Sequence, residues 1–243
     1  MPHGTVDEQT IWYILDDITQ YLGNYRNILA VIGAVLLLKK ATVFVFDVLK
    51  AFQTYFVSRF LVGRNLRKIC GGKWAVITGA SDGIGKAFAN QLAKHKFNIV
   101  LLSRSLPKLE KVANEIESKY EVLTRVICVD FSNNPSYEDI GEKLDGLDIG
   151  ILVNNVGTHY GIPAFFLDLS EKKLQDLVSI NISSLTMMTR LVLPGMVERK
   201  RGAIINLSSS AAHLPTPLIT VYAATKVYAD YFSHGLSIEY AKD

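Results

Sequence analysis

The sequence predicts an α/β protein built on a doubly wound parallel sheet with helices on both faces, and three observations carry that expectation. Five apolar runs rich in Val, Ile and Leu fall at residues 74–78, 98–102, 123–129, 149–153 and 203–208. Helical periodicity fills the intervals, at 84–95, 107–119, 136–145, 172–199 and 221–241. A glycine-rich turn, TGASDGIG at residues 78–85, lies between the first run and the first helix. Continuous apolar strands alternating with helices indicate a parallel sheet covered on both sides, and right-handed crossovers make it doubly wound.

Residues 1–70 stand apart as a hydrophobic N-terminal segment, followed by the α/β domain at 71–243. The run NILAVIGAVLLL at 27–38 is short for a span of about 20 residues, and the apolar stretch at 41–63 that follows contains Asp47 and Lys50. Association with a membrane is therefore expected by one of three routes: a crossing with Lys39 and Lys40 snorkelling, a shallow hairpin, or a helix in the interface. Residues 1–70 hold eight Lys/Arg against five Asp/Glu, whereas the remainder balances at eighteen each. Between Asp47 and Asp82 only basic charges occur, namely Lys50, Arg59, Arg64, Arg67, Lys68 and Lys73. Such a stripe beside apolar sequence suits an anionic lipid surface with the domain facing the cytosol.

The totals exclude several classes. A net charge of +3 is too small for a nucleic-acid binder, and 49% hydrophobic residues with 20% charged exclude disorder. Two cysteines cannot form a disulfide framework; Cys128, in an apolar run, is expected to be buried, and a reducing compartment fits. The Asn181 and Asn206 sequons fall in segments expected to be buried, so neither is read as a glycosylation site. No metal-ligand set is read. The absence of GK[ST] after the glycine-rich turn argues against a nucleoside triphosphatase.

The first strand delivers Gly79, Ser81, Asp82, Gly83, Ile84 and Gly85 to a helix N-terminus, where close backbone approach and the helix dipole favour a phosphate. The second strand ends in Ser103-Arg104, where NAD-binding folds place a carboxylate for the ribose hydroxyl. Ser plus Arg suits a 2′-phosphate instead, so NADP(H) is the expected cofactor. Asp130 ends the third strand and could accept from an adenine amine. Asn154, Val156 and Gly157 end the fourth, with Asn154 placed to tie strand ends together and Gly157 to let the chain pass the cofactor. All four ends lie on the carboxyl edge of the sheet, where open α/β folds bind ligands.

In TVYAATKVYAD, residues 220–230, Tyr222 and Lys226 are one helical turn apart on one face. A neighbouring ammonium favours the phenolate and so suits a tyrosine to general acid or base work. Among eleven tyrosines, only Tyr222 has a lysine four residues on.

The ordered set TGASDGIG, Asp130, NNVG, Asn181 in SINISS, NLSSS and YAATK resembles the short-chain dehydrogenase/reductase family across residues 73–243. DIGILVNNVG, LPGMVERKRGAI and the apolar N-terminus are similar to the 17β-hydroxysteroid dehydrogenase type 3 and type 12 branch, and within it to the hydroxysteroid dehydrogenase-like protein 1 group. The resemblance implies a Rossmann-type fold and an oxidoreductase acting on a lipophilic steroid or long-chain 3-oxoacyl substrate, with Asn181, Ser209, Tyr222 and Lys226 as the catalytic set. In that scheme Tyr222 donates the proton as hydride reaches the carbonyl carbon, and Ser209 polarises the carbonyl oxygen. Lys226 tunes Tyr222 and, with it, holds the nicotinamide ribose. Asn181 positions Lys226 through a water.

The type 12 relatives imply an endoplasmic reticulum membrane; the like protein 1 group implies a mitochondrion. That group, usually called inactive, carries Phe where this chain keeps Tyr222, a departure that reopens the question of activity. The resemblance also implies a sixth strand and a substrate-covering segment after residue 243, so the sheet is expected to stop after its fifth strand and following helix. The sequence is then either a truncated product or part of a longer chain. The reading allows a homodimer and keeps one alternative, a catalytically inactive dinucleotide-fold scaffold at a membrane. Tyr160, Phe165, Phe166, His213 and Leu214 are read as packing residues that could touch substrate.

Overall fold

The computed structural model describes residues 7–57 and 66–241. Arg59 and Arg64 of the basic stripe lie outside them. The chain divides into two compact units, Met1–Arg64 and Asn65–Asp243.

In the first unit, α1 (Glu8–Phe52) is one uninterrupted helix of 45 residues, capped by the Asp7 carboxylate accepting from Thr10 N–H and continued by a π-helical turn at Gln53–Val57. The shallow hairpin is thereby overturned, because the chain contains no glycine or proline between Leu36 and Phe52 to reverse it. Within the 32 residues Tyr25–Phe56, an 18-residue window reaches a mean hydropathy of 2.2 with none of that window buried. By length and composition, that stretch suffices to cross a membrane.

The second unit starts earlier than the composition suggests. Helix α2 (Leu66–Cys70) contacts the fourth strand, and Cys70 is buried in the core at 4% exposure. Strands β1 (Trp74–Thr78), β2 (Asn98–Ser103), β3 (Thr124–Cys128), β4 (Ile149–Asn154) and β5 (Ala203–Asn206) form one parallel sheet in the order β3-β2-β1-β4-β5. Between them lie α3 (Gly83–Lys94), α4 (Leu106–Tyr120), α5 (Tyr137–Leu144), α6 (Glu171–Val178) and α7 (Ser184–Glu198), and α8 (Thr220–Glu239) follows β5.

Strand alternation splits the apolar runs between two cores. Ala75, Ile77, Ile99, Leu101, Ile151 and Val153 pack on one face against Ala89 and Leu92 of α3 and Leu109, Val112 and Ile116 of α4. Val76, Val100, Leu102, Ile127 and Leu152 pack on the other against Ile140 and Leu144 of α5 and Met188, Val192 and Met196 of α7. Each fully buried aliphatic side chain contributes about 1.5–3 kcal/mol, so β1, β2 and β4 anchor the sheet. Edge strand β3 buries less, and Cys128 is exposed rather than buried, since no further strand among the described residues covers that edge. The single helix expected at 172–199 is broken by a π-helical turn, Ser179–Ser183, a local widening frequent at functional sites. Its neighbour α7 also passes the membrane-length test as part of Glu171–Glu198, but 39% of that window is buried, as befits a core helix.

Candidate active site

Strand order reverses between β1 and β4, and the chain ends around that switch build one half of a cleft. Thr78 closes β1 with its hydroxyl, which accepts from the N–H groups of Asn155 and Val156 at 3.0 Å each. The Asn155 side-chain amide donates to the carbonyls of Thr78 at 3.0 Å and Gly79 at 3.1 Å, pinning the glycine-rich turn to the end of β4. The turn is tight at two of its glycines: Gly79 sits at φ +65°, and a Cβ on Gly85 would overlap the Gly79 carbonyl and the Asn155 amide. Ser81 and Ser103 hydroxyls bond at 2.9 Å, joining the turn to β2. Asp82 caps α3 by accepting from Gly83 N–H at 2.7 Å, and Ile84 in the first helical turn is 61% exposed.

Beside this turn is a cleft of about 150 Å³ lined by Ser103, Arg104, Asp130, Val156, Gly157 and Ile180, among others. Asp130 accepts from Ser132 N–H at 3.0 Å and Ser132 Oγ at 2.8 Å, bonds that, with the Arg104 charge, lower its pKa. Arg104 itself is exposed. Asn154 corrects the expectation of a cofactor ligand. It is 3% exposed, and its amide donates to Thr189 Oγ1 at 3.1 Å and Asn206 Oδ1 at 2.9 Å, so it ties β4 to α7 and β5.

The other half of the cleft is made where α8 docks on the segment 157–160. Each of those four residues meets a different partner. Gly157 lies against Lys226 Nζ and Asn181 Oδ1, each 3.5 Å from where its Cβ would stand. Thr158 N–H donates to Asn181 Oδ1 at 2.8 Å, and its carbonyl accepts from Asn181 Nδ2 at 2.9 Å. The His159 ring meets the Tyr222 ring edge-on, centroids 6.5 Å apart. The Tyr160 hydroxyl accepts from Val221 N–H at 2.9 Å, holding the first turn of α8.

Asn181 occupies the π-helical turn, and the same Nδ2 also donates to Thr225 Oγ1 at 2.9 Å; that hydroxyl in turn donates to the Tyr222 carbonyl at 2.7 Å. A direct protein path thus runs from Asn181 through Thr225 to the backbone of Tyr222. Lys226 is 8% exposed; its ammonium donates to the Leu207 carbonyl at 2.8 Å and stands 5.8 Å from the Tyr222 ring centroid. Burial lowers its pKa. Drawing the Leu207 carbonyl to that ammonium, and Ser208 Oγ to the Lys226 carbonyl at 2.9 Å, ends β5 at Asn206 rather than at 208. Ser209 then opens a short 3₁₀ turn, its hydroxyl accepting from Ala211 N–H at 3.2 Å. The Tyr222 hydroxyl makes no hydrogen bond among the described residues.

Several readings change in the structure. Phe165, Phe166 and Leu214 are 71%, 55% and 75% exposed and His213 is exposed, so none of them packs as expected. His213 and Leu214 instead line an apolar groove of about 510 Å³ with Pro215, Pro217, Ala223 and Val227. Thr78, Asn155, Thr158 and Thr225 were not singled out by sequence. Three of them lie inside motifs that were visible, Thr78 opening TGASDGIG, Asn155 second in NNVG and Thr225 within YAATK; Thr158 lies just after NNVG.

The arrangement defines a class: a dinucleotide-type sheet whose switch point carries a Tyr-Lys pair held by an asparagine. The description "short chain dehydrogenase" matches residues 73–243, and the chain belongs to that family. It is 52% identical over 171 residues to very-long-chain 3-oxoacyl-CoA reductase of Homo sapiens, covering 70% of this chain and 55% of that protein. It is 44% identical over 226 residues to hydroxysteroid dehydrogenase-like protein 1 of Gallus gallus, covering 93% and 68%. The chain therefore spans little more than half the length of the human relative. Among solved structures, a short-chain dehydrogenase from Sphingobium yanoikuyae in complex with NADPH superposes with a TM-score of 0.65 at 28% identity, over 69% of this chain and 65% of that one.

Proposed function

We propose that the protein is an NADP(H)-dependent oxidoreductase interconverting a ketone and an alcohol on a lipophilic substrate, with 3-oxoacyl thioesters the favoured class. The observation that carries this reading is the docking of α8, which holds Tyr222 with a free hydroxyl beside a buried ammonium. The names of the human and Sphingobium relatives supply the substrate and cofactor classes.

The residues fit a phosphorylated dinucleotide. Gly85 lets the turn close on itself, since any Cβ there would strike the Gly79 carbonyl and the Asn155 amide, while Gly83 faces open space and the amides of Ile84 and Gly85 open α3 beside it. Asp130 and Val156 would border the adenine, Arg104 would pair with a 2′-phosphate, and Tyr222 with Lys226 would hold the nicotinamide ribose. Ser103, already bonded to Ser81, shapes this pocket more than it binds. When bound, the cofactor supplies or takes the hydride.

The chain's own groups do the rest. Tyr222 gives a proton to the carbonyl oxygen as charge grows there, and in the reverse direction takes it back. Lys226, fixed by Leu207, places a positive charge near that phenol and favours its ionised form. Ser209 donates to the same oxygen, a contribution of about 3 kcal/mol if comparable to a single oxyanion-hole donor. Asn181 holds segment 157–160 and α8 together, so that these groups keep their spacing. The groove at His213 and Leu214 gives an apolar substrate a place beside α8.

Residues 1–70 contain the membrane segment, with α1 seated in a bilayer, and residues 71–243 contain the reductase domain, which α2 joins. Arg67, Lys68 and Lys73 suit a cytosolic face, and the type 12 resemblance favours the endoplasmic reticulum. The test is NADPH consumption by the membrane-reconstituted protein with a long-chain 3-oxoacyl thioester and with a steroid ketone. Turnover of either with NADPH preferred over NADH supports the reading; no saturable NADPH binding would sink it.

A further inference from the structure

Of the four residues that clamp α8, three are spent on the protein itself. Gly157 provides space, Thr158 binds Asn181 through both backbone groups, and Tyr160 caps Val221. His159 differs. It is exposed, its ring stands edge-on to Tyr222 at 80° between planes, and its Nδ1 accepts from Gly161 N–H at 2.9 Å. Gly161 takes φ +88°, in the left-handed region where glycine is favoured. That bond fixes the ring: with Nδ1 as acceptor, the neutral imidazole carries its proton on Nε2. Nε2 has no hydrogen-bond partner among the described residues. A donor of set tautomer thus lies next to the proposed proton donor without an internal role.

We propose that His159 is a specificity-determining residue: its Nε2–H donates to a second carbonyl oxygen flanking the one being reduced. A 3-oxoacyl thioester carries such an oxygen on its thioester group; an isolated ketone of a steroid D-ring or a simple alkanone does not. His159 therefore favours the 1,3-dicarbonyl substrate class and orients it, leaving the 3-oxo oxygen to Tyr222 and Ser209. A site built to bond a polar group discriminates against an analogue that lacks it, because the donor then goes unpaired.

The inference rests on the reductase reading, and the experiment separates the two. Full-length membrane-reconstituted protein is assayed with NADPH on a 3-oxoacyl thioester and on a 2-alkanone of matched chain length. The measured quantity is the ratio of their kcat/KM values in wild type, His159→Phe and His159→Gln. Phe keeps an aromatic ring against Tyr222 but has no donor, whereas Gln restores an N–H near the position of Nε2. The ratio is expected to fall about tenfold in His159→Phe, equivalent to about 1.4 kcal/mol, chiefly through KM for the thioester, and to recover in His159→Gln. An unchanged ratio in His159→Phe, or an equal fall in both variants, overturns the role of His159 while leaving the reductase reading intact. Failure of wild type to reduce either compound overturns both.

Discussion

The two halves of the cleft are built by different means. On the nucleotide side, the acidic groups are held by near neighbours: Asp82 caps the next residue, and Asp130 bonds Ser132 and Asn133, while Thr78 with Asn155 and Ser81 with Ser103 tie adjacent strand ends. On the catalytic side, the partners are distant in sequence. Asn181 reaches Thr158 and Thr225, Tyr160 reaches Val221, and Lys226 reaches Leu207. A local cap forms wherever its strand ends, but the catalytic constellation exists only after α8 has docked. Substitutions on the nucleotide side should therefore act mainly on affinity, and those on the catalytic side on turnover and stability together. Asn155 is a long-range contact within the nucleotide half, tying the glycine turn to the end of β4.

The largest expected effect sharpens the contrast from within the catalytic side. Tyr222→Phe should lower kcat by about 10³-fold, within the span assigned to general acid catalysis, with little change in thermal midpoint because the lost hydroxyl bonds nothing among the described residues. A variant retaining even a tenth of wild-type kcat would remove Tyr222 from the proton transfer. Next, Asn181→Ala should cost about 3 kcal/mol in urea unfolding, because the Thr158 N–H and carbonyl and the Thr225 hydroxyl all lose a partner. Loss of activity with no loss of stability would break the claim that this side is held by long-range contacts. Asn155→Ala should weaken NADPH binding about tenfold, the equivalent of one to two lost hydrogen bonds, with a smaller stability cost than Asn181→Ala, as read by titration calorimetry alongside unfolding.

The smallest effect is a pH dependence. Burial depresses the pKa of Lys226, so below its native value the folded protein carries an ammonium that the unfolded chain carries in water at less cost. As pH rises from that lowered value toward the ordinary lysine value, the unfolded state holds more protons, and the penalty is relieved. The unfolding free energy of wild type relative to Lys226→Met should therefore shift in favour of wild type across that alkaline window. A shift in the opposite direction would show the ammonium to be stabilised in place.

The same division explains what could be read from sequence. The five strands follow from continuous apolar runs and the i, i+4 geometry of Tyr222 and Lys226 from a helical period of about 3.6 residues, and the structure places them accordingly. The glycine turn is a local necessity and was equally visible. Thr225 and Thr158 were not, because a threonine on a helix or in a loop carries no mark of the asparagine it will meet. Asn154 and Asn155 are chemically identical, and only their opposite directions along the chain make one a tie between strands and the other a clamp on the turn. The exposure of Cys128 depends on β3 falling at the sheet edge, a property of strand order that no window of residues contains.

Helix α1 carries its own consequence. The 32 residues Tyr25–Phe56 would measure about 48 Å along the axis at 1.5 Å per residue, against a hydrocarbon thickness of about 30 Å, and Arg26, Lys39, Lys40, Asp47 and Lys50 fall within that length. Seated in a bilayer as proposed, such a rod would tilt or carry its lysines to the headgroups. Bilayer thickness would then set which of those charges are drawn toward the hydrocarbon.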